Sequence, residues 1–250
     1  MIITLTTDIG WEYSAQMKGK ILSINPDAKI VDITHNIIPH NINHGAFVLY
    51  SIVPYFKNAI HIGVVDPEVG IERKCIIIDC KNSYFIGPDN GLLIPAAKRL
   101  GIKGIYEIKV GKDISPVFHG RDVFAPVAGK ISLGIKPYKF GKRVDKYVNL
   151  EFEKIKIKEN SVEGKIIFID RFGNIITNIK KEMLKRKKFK IRIGKEKEIE
   201  LELYPSYGYV EKGKILAVIS SSGFLEIAKR EGNASKFLNA RENDTIEIFF

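Results

Sequence analysis

The chain has 250 residues, 45% of them hydrophobic, and a formal net charge of +11. This length suffices for one large core or two modest ones, and two domains are the expectation. The sequence lacks the run of about 18 apolar residues typical of a membrane-spanning helix, and residues 1–5 lack the basic start of a secretory signal. We therefore expect a soluble, cytoplasmic protein with no membrane partner.

The first part of the chain alternates short apolar runs with helical patterns. We predict strands at residues 2–7, 29–33, 60–65, 75–79 and 84–86, and helices at residues 14–25, 43–55, 92–100 and 122–133. Strands that alternate with helices indicate βαβ units and a mostly parallel sheet with flanking helices. The predicted fold class is therefore α/β for this part, which we assign to residues 1–145.

The pattern changes in the last hundred residues. Residues 146–162 are charged and weakly periodic, as expected of a linker between domains. Short strands are predicted at residues 164–169, 174–177, 189–193, 199–204, 215–219 and 245–249, separated by glycine and charged turns. This spacing predicts a small antiparallel β-barrel or sandwich over residues 163–250.

The two cysteines, Cys75 and Cys80, lie in one predicted strand. Extended chain separates their Cα atoms by roughly 16 Å and places the side chains on opposite faces, which excludes a disulfide between them. We expect two reduced core residues. Lys, Glu and Ile are abundant, whereas Gln occurs once, at Gln16, a bias typical of proteins from hot environments.

The positive charge is concentrated in residues 180–200, with ten basic and four acidic residues. These alternate with apolar residues, a pattern that predicts strands with one solvated, charged face. We favour this interpretation over a nucleic-acid site and expect no nucleic-acid partner. The alternative, a nucleic-acid-binding protein, would show binding that weakens steeply with salt.

Candidate chemistry begins with Asp8 and Asp66, each of which follows a predicted strand. The carboxyl ends of parallel strands form the ligand crevice of an open sheet, so both side chains are expected to face one site. Arg73 can fold back as the ion-pair partner of Asp66, and His119 lies in a turn. Each residue also suits an ordinary turn. Together they can orient a water molecule and manage its proton, which predicts an enzyme with water as its nucleophile.

Three histidines, His35, His40 and His44, raise the hypothesis of a metal site. His40 and His44 are four residues apart, but no His-Glu-x-x-His motif or cysteine ligand set accompanies them. We therefore expect no metal, and a metal-dependent hydrolase remains an alternative.

Two polar turns occur in the second part of the chain. Residues 170–179, with Asp170 and Asn174, suit a tight connection between strands and equally the edge of a ligand site. Residues 220–223, which include Ser221 and Ser222, suit a helix N-cap before residues 224–228. Such a helix start can also bind a carboxylate.

Five motifs, at residues 8–10, 65–67, 118–122, 170–179 and 221–234, resemble those of the S-adenosyl-L-methionine hydroxide adenosyltransferases, relatives of the fluorinase and chlorinase. They occur in unbroken order along the whole chain. The resemblance implies an N-terminal α/β domain, a C-terminal β-barrel, and a homotrimer that binds substrate between neighbouring subunits. It implies hydrolysis of S-adenosyl-methionine to adenosine and L-methionine by water attack at ribose C5′, without a cofactor.

The resemblance also implies a role for each matching residue. Asp66, Arg73 and His119 match the triad that positions the water, and Asp8 matches the ribose-binding carboxylate. The other implied contacts, to the methionine end or to the nucleoside, are His40, Asp170, Asn174, Tyr207, Ser221, Ser222, Glu226, Asn233 and Ala234.

Halogenation of the same substrate, which would form 5′-halo-adenosine, is the alternative activity within this resemblance. The halogenating relatives have an uncharged residue where Asp66 stands, and a carboxylate repels a halide. We therefore expect hydrolysis. The same residues would serve either epimer of the substrate's sulfonium, the R form included.

Overall fold

The computed structural model describes residues 1–111, 113–152, 154–194 and 198–250. The chain divides into two compact units, Met1–Leu150 and Glu151–Phe250. The second unit thus begins within residues 146–162, the segment that we expected to be a linker. Across the described ranges, every helix is too short or too polar to span a bilayer.

A six-stranded sheet forms the centre of the first unit. Its strands are β1 (Ile2–Thr7), β2 (Lys29–Thr34), β3 (Ala59–Val64), β4 (Cys75–Cys80), β5 (Tyr84–Pro88) and β6 (Ile102–Glu107). They are arranged in the order β2-β1-β3-β5-β4-β6. The first four strands in this order are parallel, and β4 is antiparallel to both of its neighbours. The prediction of a mostly parallel sheet is confirmed.

β6 was not predicted. It contains Lys103 and Gly104, residue types that are depleted in strands. The strand forms because it pairs with β4 over a register that runs from Ile76–Glu107 to Cys80–Ile102. This long-range pairing supplies the backbone hydrogen bonds that its own composition does not favour.

In the described part of this unit, four α-helices accompany the sheet: α1 (Gly10–Ile24), α2 (Ile42–Ile52), α3 (Ile94–Leu100) and α4 (Ala125–Ser132). α1 begins before the predicted residue 14, at Gly10, which has a φ of 76° and donates its N–H to the His35 carbonyl oxygen at 3.2 Å. A π-helical turn, Gly120–Phe124, precedes α4, so the regular helix begins after the predicted residue 122. Ile3 and Leu5 of β1 are fully buried in the core that α1 and α4 share.

His61 of β3 is a buried, uncharged part of the core. Its Nδ1 lies 2.8 Å from Thr4 Oγ1, and its ring stacks on Phe85 with centroids 4.8 Å apart. Its Nε2 has no hydrogen-bond partner in the part of the chain that the structure describes. Burial lowers the pKa of His61 to about 4, since desolvation disfavours the charged ring.

The second unit is an antiparallel sheet that nearly closes into a barrel. Its strands are β7 (Lys156–Ile157), β8 (Ser161–Ile169), β9 (Ile175–Lys180), β10 (Lys188–Ile193), β11 (Ile199–Glu202), β12 (Ile215–Ile219), β13 (Phe224–Lys229) and β14 (Thr245–Phe249). They are ordered β11-β10-β14-β8-β9-β13-β12, and β7 pairs with β8. A bridge between Leu203 and Ala217 joins the two ends of this order. Of the two predicted alternatives, the barrel is therefore the correct one.

The prediction of a helix for residues 224–228 is wrong, because these residues form β13. This strand pairs with β12 on one side and with β9 on the other, and both ladders outweigh a local preference for helix. Residues 220–223 are the hairpin turn between β12 and β13, in which Gly223 has a φ of 90°. A short helix that was not predicted, α5 (Ala234–Phe237), follows later and is capped by Asn233.

The basic stretch forms the charged face of β10. The inward residues of this strand are buried and apolar, whereas Lys188 and Arg192 point outward. Lys188 Nζ lies 3.6 Å from Glu202 Oε2, and Arg192 Nη2 lies 2.6 Å from Glu247 Oε2. These cross-strand pairs support the interpretation as a solvated strand face. Residues 195–197 of the stretch lie outside the described residues.

We predict that acid destabilises the protein through His61. The pKa is 6.5 for an unperturbed ring and about 4 in the fold. The neutral His61 ring therefore contributes fully to the free energy of unfolding at pH values above 6.5. This contribution is lost as the pH falls towards about 4, because in this range only the unfolded chain binds the proton. Between about pH 7.5 and about pH 4.5 the wild type should lose roughly 2–3 kcal/mol more than His61→Asn. Urea unfolding at both pH values measures this, and equal losses would contradict it.

Candidate active site

The turn between β3 and β4 brings Asp66 and Arg73 together. Asp66 lies two residues after β3, and Arg73 lies two residues before β4. Between them Gly70 has a φ of 84°, and a Cβ at this position would lie 2.7 Å from the Pro116 carbonyl oxygen. Glycine is therefore required for the chain to turn back and place Arg73 beside Asp66.

The Arg73 guanidinium binds both carboxylate oxygens of Asp66. Its Nε lies 3.0 Å from each oxygen, and its Nη2 donates to Oδ2. The two side chains are 3% and 5% exposed, so each charge depends on the other rather than on bulk water. Burial opposes the charge of Arg73, but the interaction with Asp66 outweighs burial and raises the Arg73 pKa. The guanidinium is therefore always a hydrogen-bond donor.

The same guanidinium reaches His119, which directly precedes the π-helical turn. Arg73 Nη2 lies 2.8 Å from His119 Nδ1. Because a guanidinium can only donate, Nδ1 accepts this hydrogen bond, and the proton of the neutral ring is on Nε2. Burial first, and then the Arg73 charge, lower the pKa of His119. The neutral ring with an Nε2–H donor is therefore the favoured form at neutral pH.

Cys75 belongs to this cluster, although the sequence suggested only a core residue. Arg73 Nη1 donates to its Sγ at 2.9 Å, and the Sγ lies 3.8 Å from His119 Nδ1. Burial raises the pKa of Cys75, so the thiol stays protonated. Cys75 and Cys80 are both free and buried, as predicted. The spacing of Arg73 and Cys75 could have predicted their contact, since residues two apart in an extended chain lie on the same face.

The cluster opens onto a cavity of about 570 Å³ in the first unit. Arg73, Cys75 and His119 line it, and its walls also include charged residues such as Glu107 and Lys109. A polar cavity of this size admits water and small polar groups. Arg73 and His119 of the cluster therefore border a space that a water molecule can enter.

Asp8 lies at the end of the neighbouring strand. Thr7 pairs with Val64 in the parallel register, so Asp8 and Asp66 follow adjacent strand ends. Asp8 Oδ2 accepts a hydrogen bond from the backbone N–H of His40 at 3.0 Å. His40 has a φ of 65°, which is costly for a residue other than glycine. The hydrogen bond holds the Asp8 carboxylate against the loop that carries the His40 ring.

Four of the predicted contacts meet at one end of the barrel in the second unit. Asp170 Oδ1 accepts from the Asn174 N–H at 2.8 Å, and its Oδ2 accepts from Asn174 Nδ2 at 3.0 Å. In the same turn a Cβ on Gly173 would lie 2.2 Å from Asn233. Asn233 caps α5, whose first residue is Ala234. Asp170 therefore has a structural role in its turn, next to the start of α5.

Glu226 of β13 adds a buried carboxyl group near Asp170. The Tyr207 hydroxyl donates to Glu226 Oε1 at 2.6 Å, and Glu226 is 5% exposed. Burial raises the pKa of Glu226, the Tyr207 hydrogen bond opposes this, and the Asp170 charge adds to it. Burial and Glu226 raise the pKa of Tyr207, which therefore remains a donor. Asp170 and Glu226 thus place two carboxyl groups close together in the second unit.

Ser221 and Ser222 lie apart from this group. They are in the hairpin before Phe224, which pairs with Lys180 at the end of β9. Asn174 precedes the beginning of β9, so the hairpin and the Asp170 turn lie towards opposite ends of that strand. The helix N-terminus suggested for carboxylate binding at these serines is not formed, because β13 follows them.

Of the histidines considered as metal ligands, His35 has its ring bound to other groups. The His35 ring bonds to Thr7 and Asp32, and the backbone N–H of His44 bonds to the side chain of Asn41. Within the described ranges, no three His, Cys, Asp or Glu side chains are grouped so as to hold a metal ion.

A mostly parallel α/β unit with a buried carboxylate–guanidinium–imidazole cluster, followed by a β-barrel, defines a two-unit enzyme architecture. Residues 3–141 match the SAM hydroxide adenosyltransferase N-terminal domain, and residues 164–247 match the corresponding C-terminal domain. The chain therefore belongs to the SAM hydroxide adenosyltransferase family.

Individual relatives agree with this assignment. A Methanocaldococcus jannaschii protein named (R)-S-adenosyl-L-methionine hydrolase is 46% identical, over 100% of this chain and 96% of the relative. A Nocardia brasiliensis protein named fluorinase is 25% identical, over 99% and 96% of the two chains. A crystal structure of an uncharacterized conserved protein from Thermotoga maritima is 36% identical, covers 100% of both chains and gives a TM-score of 0.91. Similarity to the hydrolase is thus clearly higher than to the fluorinase.

We predict that Arg73→Gln raises the pKa of His119. The substitution removes the neighbouring positive charge that disfavours the imidazolium form. Titration of the histidine ring protons by nuclear magnetic resonance measures the pKa in the wild type and in the variant. Arg99→Gln is the matched control, because this guanidinium lies over the Tyr50 ring instead. A His119 pKa that stays constant or falls in Arg73→Gln would contradict the proposed contact.

Proposed function

We propose that this protein hydrolyses (R)-S-adenosyl-L-methionine to adenosine and L-methionine. The observation that carries the proposal is the Arg73 guanidinium, which joins Asp66 and His119 into one buried cluster beside a cavity. The 46% identical relative named (R)-S-adenosyl-L-methionine hydrolase supports the choice of substrate. Membership of the family supports the choice of reaction.

In the proposed reaction a water oxygen attacks ribose C5′. The C5′–S bond breaks, its electron pair remains on sulfur, and the sulfonium becomes the neutral thioether of methionine. The water loses one proton, so the products are adenosine, methionine and a proton. The positive charge on sulfur is lost along the reaction path, and a buried site with little water favours such a loss of charge.

The hydrogen-bond directions in the cluster indicate different roles for Asp66 and His119. The sequence alone predicted that these groups together orient a water molecule and manage its proton, and it left the final proton acceptor open. A neutral His119 with its proton on Nε2 is a donor, so in our proposal it orients the water through the oxygen atom. Asp66 is an acceptor and takes the proton, while Arg73 holds its carboxylate in place.

The remaining contacts of the proposal follow the family resemblance. We assign Asp8 to the ribose hydroxyls, since a carboxylate at a strand end can accept hydrogen bonds from both. We assign Asp170 to the methionine end, and Glu226, a buried carboxyl group near it, to the same end. Asn174 and Asn233 are assigned to the nucleoside. Contacts with Ser221, Ser222 and Tyr207 remain predictions of the same kind.

We propose further that the reaction uses no metal and no cofactor. The leaving group is a neutral thioether that needs no Lewis acid, and Asp66 supplies the acceptor for the proton. Halogenation is the second candidate because of the similarity to fluorinases. The Asp66 carboxylate disfavours it, since the site would have to bind a halide next to a negative charge.

We also propose a homotrimer with substrate bound between neighbouring subunits, as the family resemblance implies. Light scattering coupled to gel filtration measures the mass directly. A species of three chains is expected, and a monomer that retains full activity would exclude this arrangement.

The activity is tested with purified protein and each epimer of S-adenosyl-methionine in turn. Chromatography follows adenosine, methionine and 5′-halo-adenosine, with and without a chelator and with added chloride or fluoride. Adenosine from the R epimer, unaffected by the chelator, is expected. Adenosine from neither epimer would refute the proposed hydrolysis. Loss of activity in the chelator would favour the metal-dependent alternative, and 5′-halo-adenosine would favour halogenation.

Substitutions in the cluster test the roles of its members. We predict that Asp66→Asn and His119→Ala each lower turnover by about 100-fold or more, the first through loss of the proton acceptor and the second through loss of the donor that orients the water. Asp79→Asn is the matched control, because Asp79 lies outside the cluster, in β4, where its backbone pairs with β5 and β6. Turnover close to that of the control in both cluster variants would contradict the mechanism.

A further inference from the structure

The loop that carries Asp8 is held in place by a second loop. We call residues 7–10, from the last residue of β1 to the first residue of α1, the Asp8 loop. His35 lies in the connection between β2 and α2, and its carbonyl oxygen accepts from the Gly10 N–H at 3.2 Å. From the same connection the His40 N–H binds Asp8 Oδ2 at 3.0 Å. The second loop thus holds both the Asp8 carboxylate and the backbone that follows Asp8.

The His35 side chain strengthens this arrangement from the interior. Its Nδ1 lies 2.9 Å from Thr7 Oγ1, and its Nε2 lies 3.0 Å from Asp32 Oδ1. Asp32 is held in turn by Lys18 Nζ at 2.9 Å. Because the carboxylate only accepts, Nε2 carries a proton; in the neutral ring Nδ1 then accepts from the Thr7 hydroxyl. With the ring neutral, the hydrogen bonds run in one direction from Thr7 to Asp32.

This order of hydroxyl, imidazole and carboxylate is also that of a nucleophilic triad. A nucleophile must reach its substrate, however, and Thr7 is 0% exposed. His35 is 1% exposed, and Trp11 covers its ring, with the two ring centroids 4.8 Å apart. Burial therefore excludes catalysis by Thr7 and leaves a role in holding the backbone next to Asp8.

We propose that His35 is a positioning residue for substrate binding: with Thr7 and Asp32 it fixes the Asp8 loop so that Asp8 meets the ribose hydroxyls. This inference rests on the proposed function, in which Asp8 binds the ribose. A fixed carboxylate need not be ordered when substrate arrives, which lowers the entropic cost of binding. Loss of the Thr7–His35 hydrogen bond should thus weaken binding without changing the chemical step.

The test uses Thr7→Val, which keeps the shape of the side chain but removes the hydroxyl, and Thr7→Ser, which restores it. Thr4→Val is the matched control: it removes an equivalent buried hydrogen bond, between Thr4 Oγ1 and His61 Nδ1, from the same strand. KM and kcat are measured for S-adenosyl-methionine, and adenosine binding is measured by calorimetry. Hydrogen exchange of residues 7–10 reports on the loop without any substrate.

Thr7→Val should raise KM and the dissociation constant of adenosine by about tenfold, with kcat within about threefold of the wild type, as for loss of binding alone. Exchange in the Asp8 loop should be faster in this variant, and Thr7→Ser should reverse every change. Unchanged exchange and KM in Thr7→Val would overturn the proposal, as would equal changes in Thr4→Val. If exchange responds as expected but the wild type neither cleaves substrate nor binds adenosine, the loop role stands and the proposed function fails.

Discussion

The site depends on the buried ion pair between Asp66 and Arg73. Removal of either partner would leave a charge without compensation in the interior, at a cost of about 3–5 kcal/mol. The geometry also requires arginine, because one planar group contacts Asp66, His119 and Cys75 at the same time. A lysine ammonium has no such fork. The Arg73 guanidinium donates to His119 Nδ1 and thereby places the proton of the neutral ring on Nε2. It thus decides which group can orient a water molecule and which can accept its proton.

Both units place carboxyl groups at positions that backbone contacts determine. In the first unit Asp8 and Asp66 follow adjacent parallel strands, so the register of β1 and β3 brings them to one edge of the sheet. In the second unit Asp170 is fixed by the backbone of its own turn, and Glu226 is buried close by in β13. The proposed substrate carries a sulfonium and an ammonium group, and carboxylates favour binding of such cations.

Much of the first unit could be predicted from the chain, because its strands are short apolar runs and its helices have clear periodicity. The second unit shows where this fails. Residues 224–228 suit a helix as well as a strand, and only pairing with β9 and β12 decides for the strand. β6 likewise depends on its pairing with β4. Cys75 was predicted as a core residue, and its contact with Arg73 follows from a turn whose shape local patterns do not specify.

The sequence by itself determined the fold class, the two-part organisation and the list of candidate residues, since hydrophobic period and motif order are properties of the chain. Tertiary structure decided which candidates meet. It joined Asp66, Arg73 and His119 through a turn at Gly70, and it set Ser222 towards the other end of β9 from Asn174. The reason is physical: pairing register and burial arise between segments distant in the chain, and they alone set distances and protonation states.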